Sequence, residues 1–488
     1  MSTAYINCLL ARYQIFIYFQ QNTFVGNMAF KSLFLLSLSP IALGLVSIVD
    51  PSDYVNLSAD AEDNALLADY TTDNGGPIYL TDDLAGQYTY RDADAELDHE
   101  TLSVNANDTS VLLITEGSNV NISHVDVVKR GYSTWLNQAS FFGRNAALNI
   151  ANGSTSYITD LNITSHNGAA GIFVYGTGTT VHVSNTEIYS SGPVSHALYA
   201  AGNGTIYASN IRSYAGGNRC STFSGDSPAG YIYVSDSVSH TAGVGSATFY
   251  ALGEIYANNV VGHSEQAPAL FSDGAQKAVL ENVDLTAGLL AGTVMFSSSA
   301  RQTGASLSLT NSRLTTLKED MPALWFGNII ADATIIATEL NSSSRILLVA
   351  NSSQVTQAFS YFAGAEENSS IQPAEVSVTV AESTLAGDLV AYNGSSIAWN
   401  LTDHSTWTGS AYLEGKGSAT FSISVDETST WTLTRDVIVD TFTNADLGNK
   451  NIHSKGFNIH YNPSAPKNTW LKSKMFTLPG GGKLRPRS

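Results

Sequence analysis

A short phrase recurs along this chain, and its spacing constrains the fold more than any other feature. It reads Thr-Val-His-Val-Ser-Asn at Thr180–Asn185, Thr-Ile-Tyr-Ala-Ser-Asn at Thr205–Asn210, Tyr-Ile-Tyr-Val-Ser-Asp at Tyr231–Asp236 and Glu-Ile-Tyr-Ala-Asn-Asn at Glu254–Asn259. The closing Asn or Asp returns at Asp160, Asn185, Asn210, Asp236, Asn259, Asn282 and Asn311. The intervals are roughly 23 to 29 residues, a period at which repeats build solenoids. Strand alternation turns Val181, Ile206, Ile232 and Ile255 inward, with Val183, Ala208, Val234 and Ala257 two residues later. The closing residue falls where the chain must bend, since a short polar side chain can bond neighbouring backbone there. Third segments align as well, at His196–Tyr199, Ser221–Phe223, Ala247–Tyr250 and Ala267–Phe271. Three short strands per turn at this period predict an all-β chain coiled as a parallel β-helix, a β-solenoid.

The repeat dominates residues 106–440, loosening after Asn311, with Thr338 and Glu382 in positions like those of the closing Asn. Residues 45–105 are rich in Asp, including Asp82-Asp83, and read as a polar N-terminal cap over the first rung. No loop there has calcium-ligand spacing. Residues 28–44 read as a signal peptide: Lys31, then the apolar run Ser32–Leu43, then small residues at Ala42 and Gly44. Residues 1–27 read as an over-extended start. Residues 441–488 read as a C-terminal cap strand and tail, with Pro479–Ser488 expected to fray. A cleaved signal implies a secreted chain, at the cell wall or surface, whose mature form has no transmembrane segment. Glycosylation candidates follow at Asn56, Asn107, Asn121, Asn152, Asn162, Asn203, Asn341, Asn351, Asn368, Asn393 and Asn400. The net charge of −19 argues against nucleic acid or anionic lipid as partner. Cys220, alone in the mature chain, reads as a small buried hydrophobe.

Four stretches carry a resemblance: Ser246–Phe249, Glu254–Asn259, Ser429–Thr434 and Asn451–Tyr461. Over roughly residues 145–461 the chain resembles secreted bacterial and fungal right-handed parallel β-helix proteins of the adhesin-like or autotransporter-passenger-like type, with a pectin-lyase-like fold. The resemblance implies a surface role and supplies no catalytic residues to carry over.

No residue set in the sequence announces chemistry. Enzymes on this fold offer the alternative of a polysaccharide lyase or glycoside hydrolase, but of the Asn-Thr-Asp, Asp-Asp, Gly-His-Gly and Arg-Ile-Lys motifs of a polygalacturonase the chain offers only Asp82-Asp83, in the acidic stretch and without partners. Arg212 and Arg219, with Asp226 and Asp236, are the central charged candidates and read as surface residues. Lys129-Arg130-Gly131-Tyr132, with Trp135 and Arg144, reads as an early irregular loop. His166, His196, His240 and His263 show no metal-ligand spacing, and His240 and His263 continue a column begun by Tyr189 and Tyr214. No metal, cofactor or catalytic residue is expected. The one ordered outward feature is Tyr157, His182, Tyr207, Tyr233 and Tyr256, each three residues before a turn. Stacked at about 4.8 Å per rung, they would form an aromatic strip roughly 20 Å long for sugar rings. The expected function is a non-enzymatic, adhesin-like protein contacting polysaccharide or cell-surface glycan.

Overall fold

The structure, a computed structural model, describes residues 76–487 except 167, 169, 227, 228, 357, 358 and 360. The extension at 1–27, the signal at 28–44, Asn56 and the first part of the acidic stretch lie outside the described residues. What is described is a right-handed parallel β-helix of about 16 turns. The first strand of most turns joins one long, 13-stranded sheet. Leu148–Ala151, Ile172–Tyr175, Leu198–Ala201, Phe223–Gly225, Phe249–Ala251, Leu270–Asp273 and Thr293–Phe296 run parallel there in successive register. The repeated phrase and the residues that follow its closing Asn or Asp make the other two faces. In the four central coils they do so as single eleven-residue strands, Thr180–Ser190, Thr205–Ala215, Tyr231–Thr241 and Glu254–Ser264. Elsewhere the two faces are separate strands, as at Thr155–Thr159 and Asn162–Ser165.

The bend between these faces is one residue in the left-handed region: Asp160 (φ 57°), Asn185 (50°), Asn210 (52°), Asp236 (51°), Asn259 (56°), Asn282 (54°) and Asn311 (49°). That region costs most L-residues free energy and is tolerated best by Gly, Asn and Asp, which explains the repeated residue type. The amides also bond along the axis. Asn210 Nδ2 donates to Asn185 Oδ1 at 2.8 Å, and Asn259 Nδ2 to Asp236 Oδ1 at 2.7 Å. The column extends to His99 and His124 before the phrase and to Ala337, Glu382 and Asp403 after it. Ala337 rather than Thr338 therefore holds the bend. The Thr338 hydroxyl donates to the Ile336 carbonyl at 2.8 Å and accepts the Ser312 amide of the preceding coil at 3.2 Å.

Val181, Ile206, Ile232 and Ile255 are fully buried, as alternation requires, and Val183, Ala208, Val234 and Ala257 nearly so. Toward the C-terminus the core fills with indoles. Trp407 and Trp431 stack at 4.9 Å, and their N–H groups donate to the carbonyls of Gly387 and Gly409 at 2.8 and 2.9 Å. Both ends of the helix reach further than the composition suggests. Ala85–Arg91, Asp94–Asp98 and Thr101–Val104 already pair with the next coil, so coiling begins inside the acidic stretch. The tail is not frayed: Lys483–Pro486 pairs parallel with Ile459–Tyr461 and antiparallel with Phe476–Thr477, and Leu484 is fully buried. One inward leucine among outward cations anchors a segment whose Gly and Pro content reads as disorder.

Two elements cover the outer face of the first sheet. The short helix Leu136–Phe142 ends at Gly143 (φ 68°), where a Cβ would lie 2.4 Å from the Phe173 ring. Further along, the hairpin of Gln354–Val355 and Phe362–Ala363 sets Phe362 on Trp325 at 3.9 Å and Phe359 near Phe271 at 4.8 Å.

Candidate functional site

The five predicted aromatics occupy one column, in the register Asn121, Tyr157, His182, Tyr207, Tyr233, Tyr256, Val279. Successive ring centroids are 4.9, 5.0, 4.9 and 4.8 Å apart, with planes inclined by 6° to 17°. The rings thus stack on one another. Much of each face is spent on its neighbour, and solvent meets edges and phenol groups rather than the flat platform that alternation suggests. Tyr157 and Tyr207 are exposed, the other three half-buried. Lys277 Nζ sits 5.1 Å over the Tyr256 ring and closes that end. The Tyr256 hydroxyl donates to Glu254, which raises its pKa; burial does the same for Tyr233.

Beside the rings runs a parallel column of small polar side chains, among them Thr159, Ser184, Ser209 and Ser235. Rings and hydroxyls form the two walls of an open trough of about 760 Å³ that runs from Asn121 to Glu281. Asn121, a glycosylation candidate, is exposed at one end of it. Asn107, Asn152, Asn203, Asn341 and Asn393 are exposed too, whereas Asn162, Asn351, Asn368 and Asn400 are half-buried. The Nδ2 of Asn368 donates to Gln354 Oε1 at 2.9 Å and that of Asn400 to the Val378 carbonyl at 3.1 Å, the atom a glycan would use.

The charged candidates separate into unlike settings. Arg212 pairs with Glu187 of the preceding coil at 3.4 Å, and Asp236 is a bend residue holding Asn259. Arg219 and Asp226, by contrast, meet in a cavity of about 90 Å³ between the short helix and the hairpin. His196, Tyr199, Tyr250, Phe271 and Asp273 line it with them. Asp226 is 5% exposed and accepts the Tyr199 hydroxyl. Asp273 Oδ1 accepts the Ser298 amide at 2.8 Å, while burial pushes its carboxyl up. His196 Nδ1 lies 2.9 Å from Ser224 Oγ and 3.3 Å from the Ser221 carbonyl. Burial drives this imidazole down to about 3 and keeps it neutral. Tyr199 and Tyr250 close third segments that align in the sequence and share one register column, but nothing in that alignment marks a cavity, and Asp273 lies just beyond the aligned segment of its own coil.

The early cationic stretch is structural. Lys129 is buried and donates to the carbonyls of Ala106 and Gly131 at 3.1 and 3.2 Å, with its ammonium pushed down to about 7 by burial. Arg144 pairs with Asp82, and Trp135 packs against Gly76. Tyr189, Tyr214, His240 and His263 form the expected mixed ladder, with centroids 5.5, 5.1 and 5.2 Å apart. His240 Nε2 also lies 2.8 Å from Glu265, and donor atoms of His240, His263 and Glu265 fall within 4.8 Å of one another, as do those of Asp98, His99 and His124. Both groups straddle coils, which is why no linear ligand motif reveals them. Cys220 is buried. Among the described residues no helix is long and apolar enough to cross a membrane. Compared with family models, curated proteins and solved structures, the chain matches none.

Proposed function

We propose that this chain is a secreted, adhesin-like surface protein whose trough holds an extended glycan without acting on it. The observation that carries this reading is the continuity of the trough. Rings on one wall and hydroxyls on the other repeat at the strand spacing of about 4.8 Å over five coils. A linear polymer of amphipathic units meets such a surface at many equivalent points, whereas a globular protein partner would use it poorly. The self-stacked rings favour contact through phenol hydroxyls and ring edges, with the serine and threonine column supplying hydrogen bonds to sugar hydroxyls. The trough holds no facing pair of acid and base, so retention rather than turnover is its expected activity.

A glycan array probed with the whole chain tests this. The triple variant Tyr207→Ala, Tyr233→Ala, Tyr256→Ala is expected to lose retention at least about tenfold, which is about 1.4 kcal/mol, with its β-sheet circular dichroism unchanged. Equal retention by the variant and the parent removes the trough as a site.

A further inference from the structure

Where the column of Tyr189 and Tyr214 continues into His240 and His263, the ladder changes its geometry and acquires a carboxylate. This column follows the bend, whereas the rings of the trough precede it. Strand alternation turns His263 and Glu265 to one side, with buried Ser264 between them, and register sets His240 beside His263 on the preceding coil. The Glu265 amide donates to the Thr241 carbonyl at 2.9 Å, so the ladder runs one residue past the strand and fixes where this side chain starts. Two imidazoles and a carboxylate thus converge, their donor atoms within 4.8 Å of one another and His240 Nε2 at 2.8 Å from Glu265 Oε1. Ring orientation is the second observation. Tyr189 and Tyr214 stack at 12°, but Tyr214 and His240 stand at 89° and His240 and His263 at 71°. An imidazole lone pair lies in the plane of its ring, so stacked imidazoles aim past each other while inclined ones can aim at a common point. A second group, Asp98, His99 and His124, lacks this geometry. It is exposed throughout, its imidazoles stack at 20°, and both bond the one Asp98 carboxylate through Nδ1.

We propose that His240, His263 and Glu265 bind one divalent transition-metal ion, Zn²⁺ being the ion their donors fit best, where the sequence alone leads to no metal. Two imidazole nitrogens and one carboxylate oxygen select borderline ions of this kind over Ca²⁺ and Mg²⁺, which take oxygen donors. Bonds of about 2.0–2.1 Å to a tetrahedral ion place their donors about 3.3 Å apart, so the ion enters between His240 and Glu265 after a shift of about half an ångström. Glu265, with 46% of its side chain in solvent, can make that shift, and His263 closes on the ion by side-chain rotation. Three protein ligands leave the fourth position to water or to a small ligand, as in an open rather than a purely structural zinc site. The ion also ties one coil to the next, because His240 belongs to one and His263 and Glu265 to its neighbour. It binds the folded chain in preference to the unfolded one, and the stability of these coils rises with free metal. The site shares no residue with the trough and does not depend on it.

The test uses the whole chain, freed of metal by dialysis against a chelator and titrated calorimetrically with Zn²⁺ alone. One tight equivalent is expected, together with a rise in thermal midpoint. Co²⁺ serves as the spectroscopic probe: it should give the strong visible absorption of a four-coordinate ion, which Zn²⁺ then abolishes. His240→Gln, His263→Gln and Glu265→Gln should each weaken Zn²⁺ at least about 100-fold, the upper end of what even a partner outside the coordination sphere costs, and should remove the rise in midpoint. Glu265→Gln changes only a half-exposed carboxylate, so it decides the matter if a histidine variant fails to fold. The double variant His99→Gln, His124→Gln empties the second group and should leave the tight equivalent in place. No binding of Zn²⁺, binding that survives in Glu265→Gln and both histidine variants, or binding that the double variant removes overturns the proposal.

Discussion

A single residue in each coil sets the direction of the chain, and it does so through backbone conformation before side-chain contact. Asn259 sits at φ 56° and bonds Asp236 through its amide at 2.7 Å. Asn259→Gly keeps the bend and loses only the amide bond, whereas Asn259→Val puts a β-branched residue where L-residues pay about 1–2 kcal/mol. Denaturant midpoints should fall clearly for Val and little for Gly; equal losses would show that the amide ladder, not the conformation, holds the corner. His196 makes a prediction in pH. Its folded imidazole titrates at about 3 because of burial, opposed by the Ser221 carbonyl, while the unfolded chain takes up the proton near the ordinary 6.5. Below 6.5 the unfolded state binds the proton first. The contribution of His196 is therefore whole above that pH and is lost as pH falls toward 3. His196→Gln should lose less stability than the parent between pH 7 and 4.5, measured as the shift in thermal midpoint. Parallel pH profiles for the two proteins would contradict this burial.

Between the strands, glycine does what no other residue can. A Cβ on Gly243 would lie 1.8 Å from the Gly217 carbonyl oxygen, and one on Gly217 would lie 2.0 Å from that of Gly192. These corners let successive coils close to the strand spacing. Gly243→Ala should destabilise by about 1–3 kcal/mol through forced backbone displacement, read from chemical unfolding; a neutral result would mean that the corner yields. The indole pair gives the opposite case of a space that must stay filled. Trp431→Ala removes a stacked, fully buried ring whose N–H satisfies Gly409, and should cost about 3–5 kcal/mol.

The strand elements were legible in the sequence because alternation and a bend residue recur at a constant offset, as in Thr180–Asn185 and its copies. The aromatic column was legible for the same reason, since each member holds one place in the phrase. Its self-stacking was not, because ring orientation depends on side-chain torsions that a pattern does not carry. The cavity was half legible. Arg219 and Asp226 lie close in sequence, but Asp273 stands one coil beyond the intervening Leu252 and joins them only once register is known. The ordered tail was missed because a single inward residue, Leu484, is too short a signal for a strand.

At the scale of the molecule, each coil touches chiefly its neighbours, so stability is close to a sum of coil terms and interface terms. Damage should therefore stay local. Hydrogen exchange of Trp431→Ala is expected to speed up in the coils around Thr406–Thr408 and Thr430–Thr432 while protection at Thr180–Ser190 and Thr205–Ala215 holds. Uniformly faster exchange would mean one cooperative unit instead. The same construction divides the molecule's surfaces. The trough lies on the faces made by the repeated phrase and the cavity on the first sheet, with the aliphatic core between them.

The register of the first sheet carries one consequence for how such a surface can change. Asp226 and Asp273 stand an integer number of steps apart, so their spacing cannot be adjusted by reshaping a loop. It moves by whole divisions, as on a ruler, when a coil is gained, lost or exchanges its polar residue with the next. Moving the carboxylate from position 273 to position 252, one division closer, would bring the two aspartates to about 4.8 Å of backbone separation. A continuous variable in most proteins is here a count.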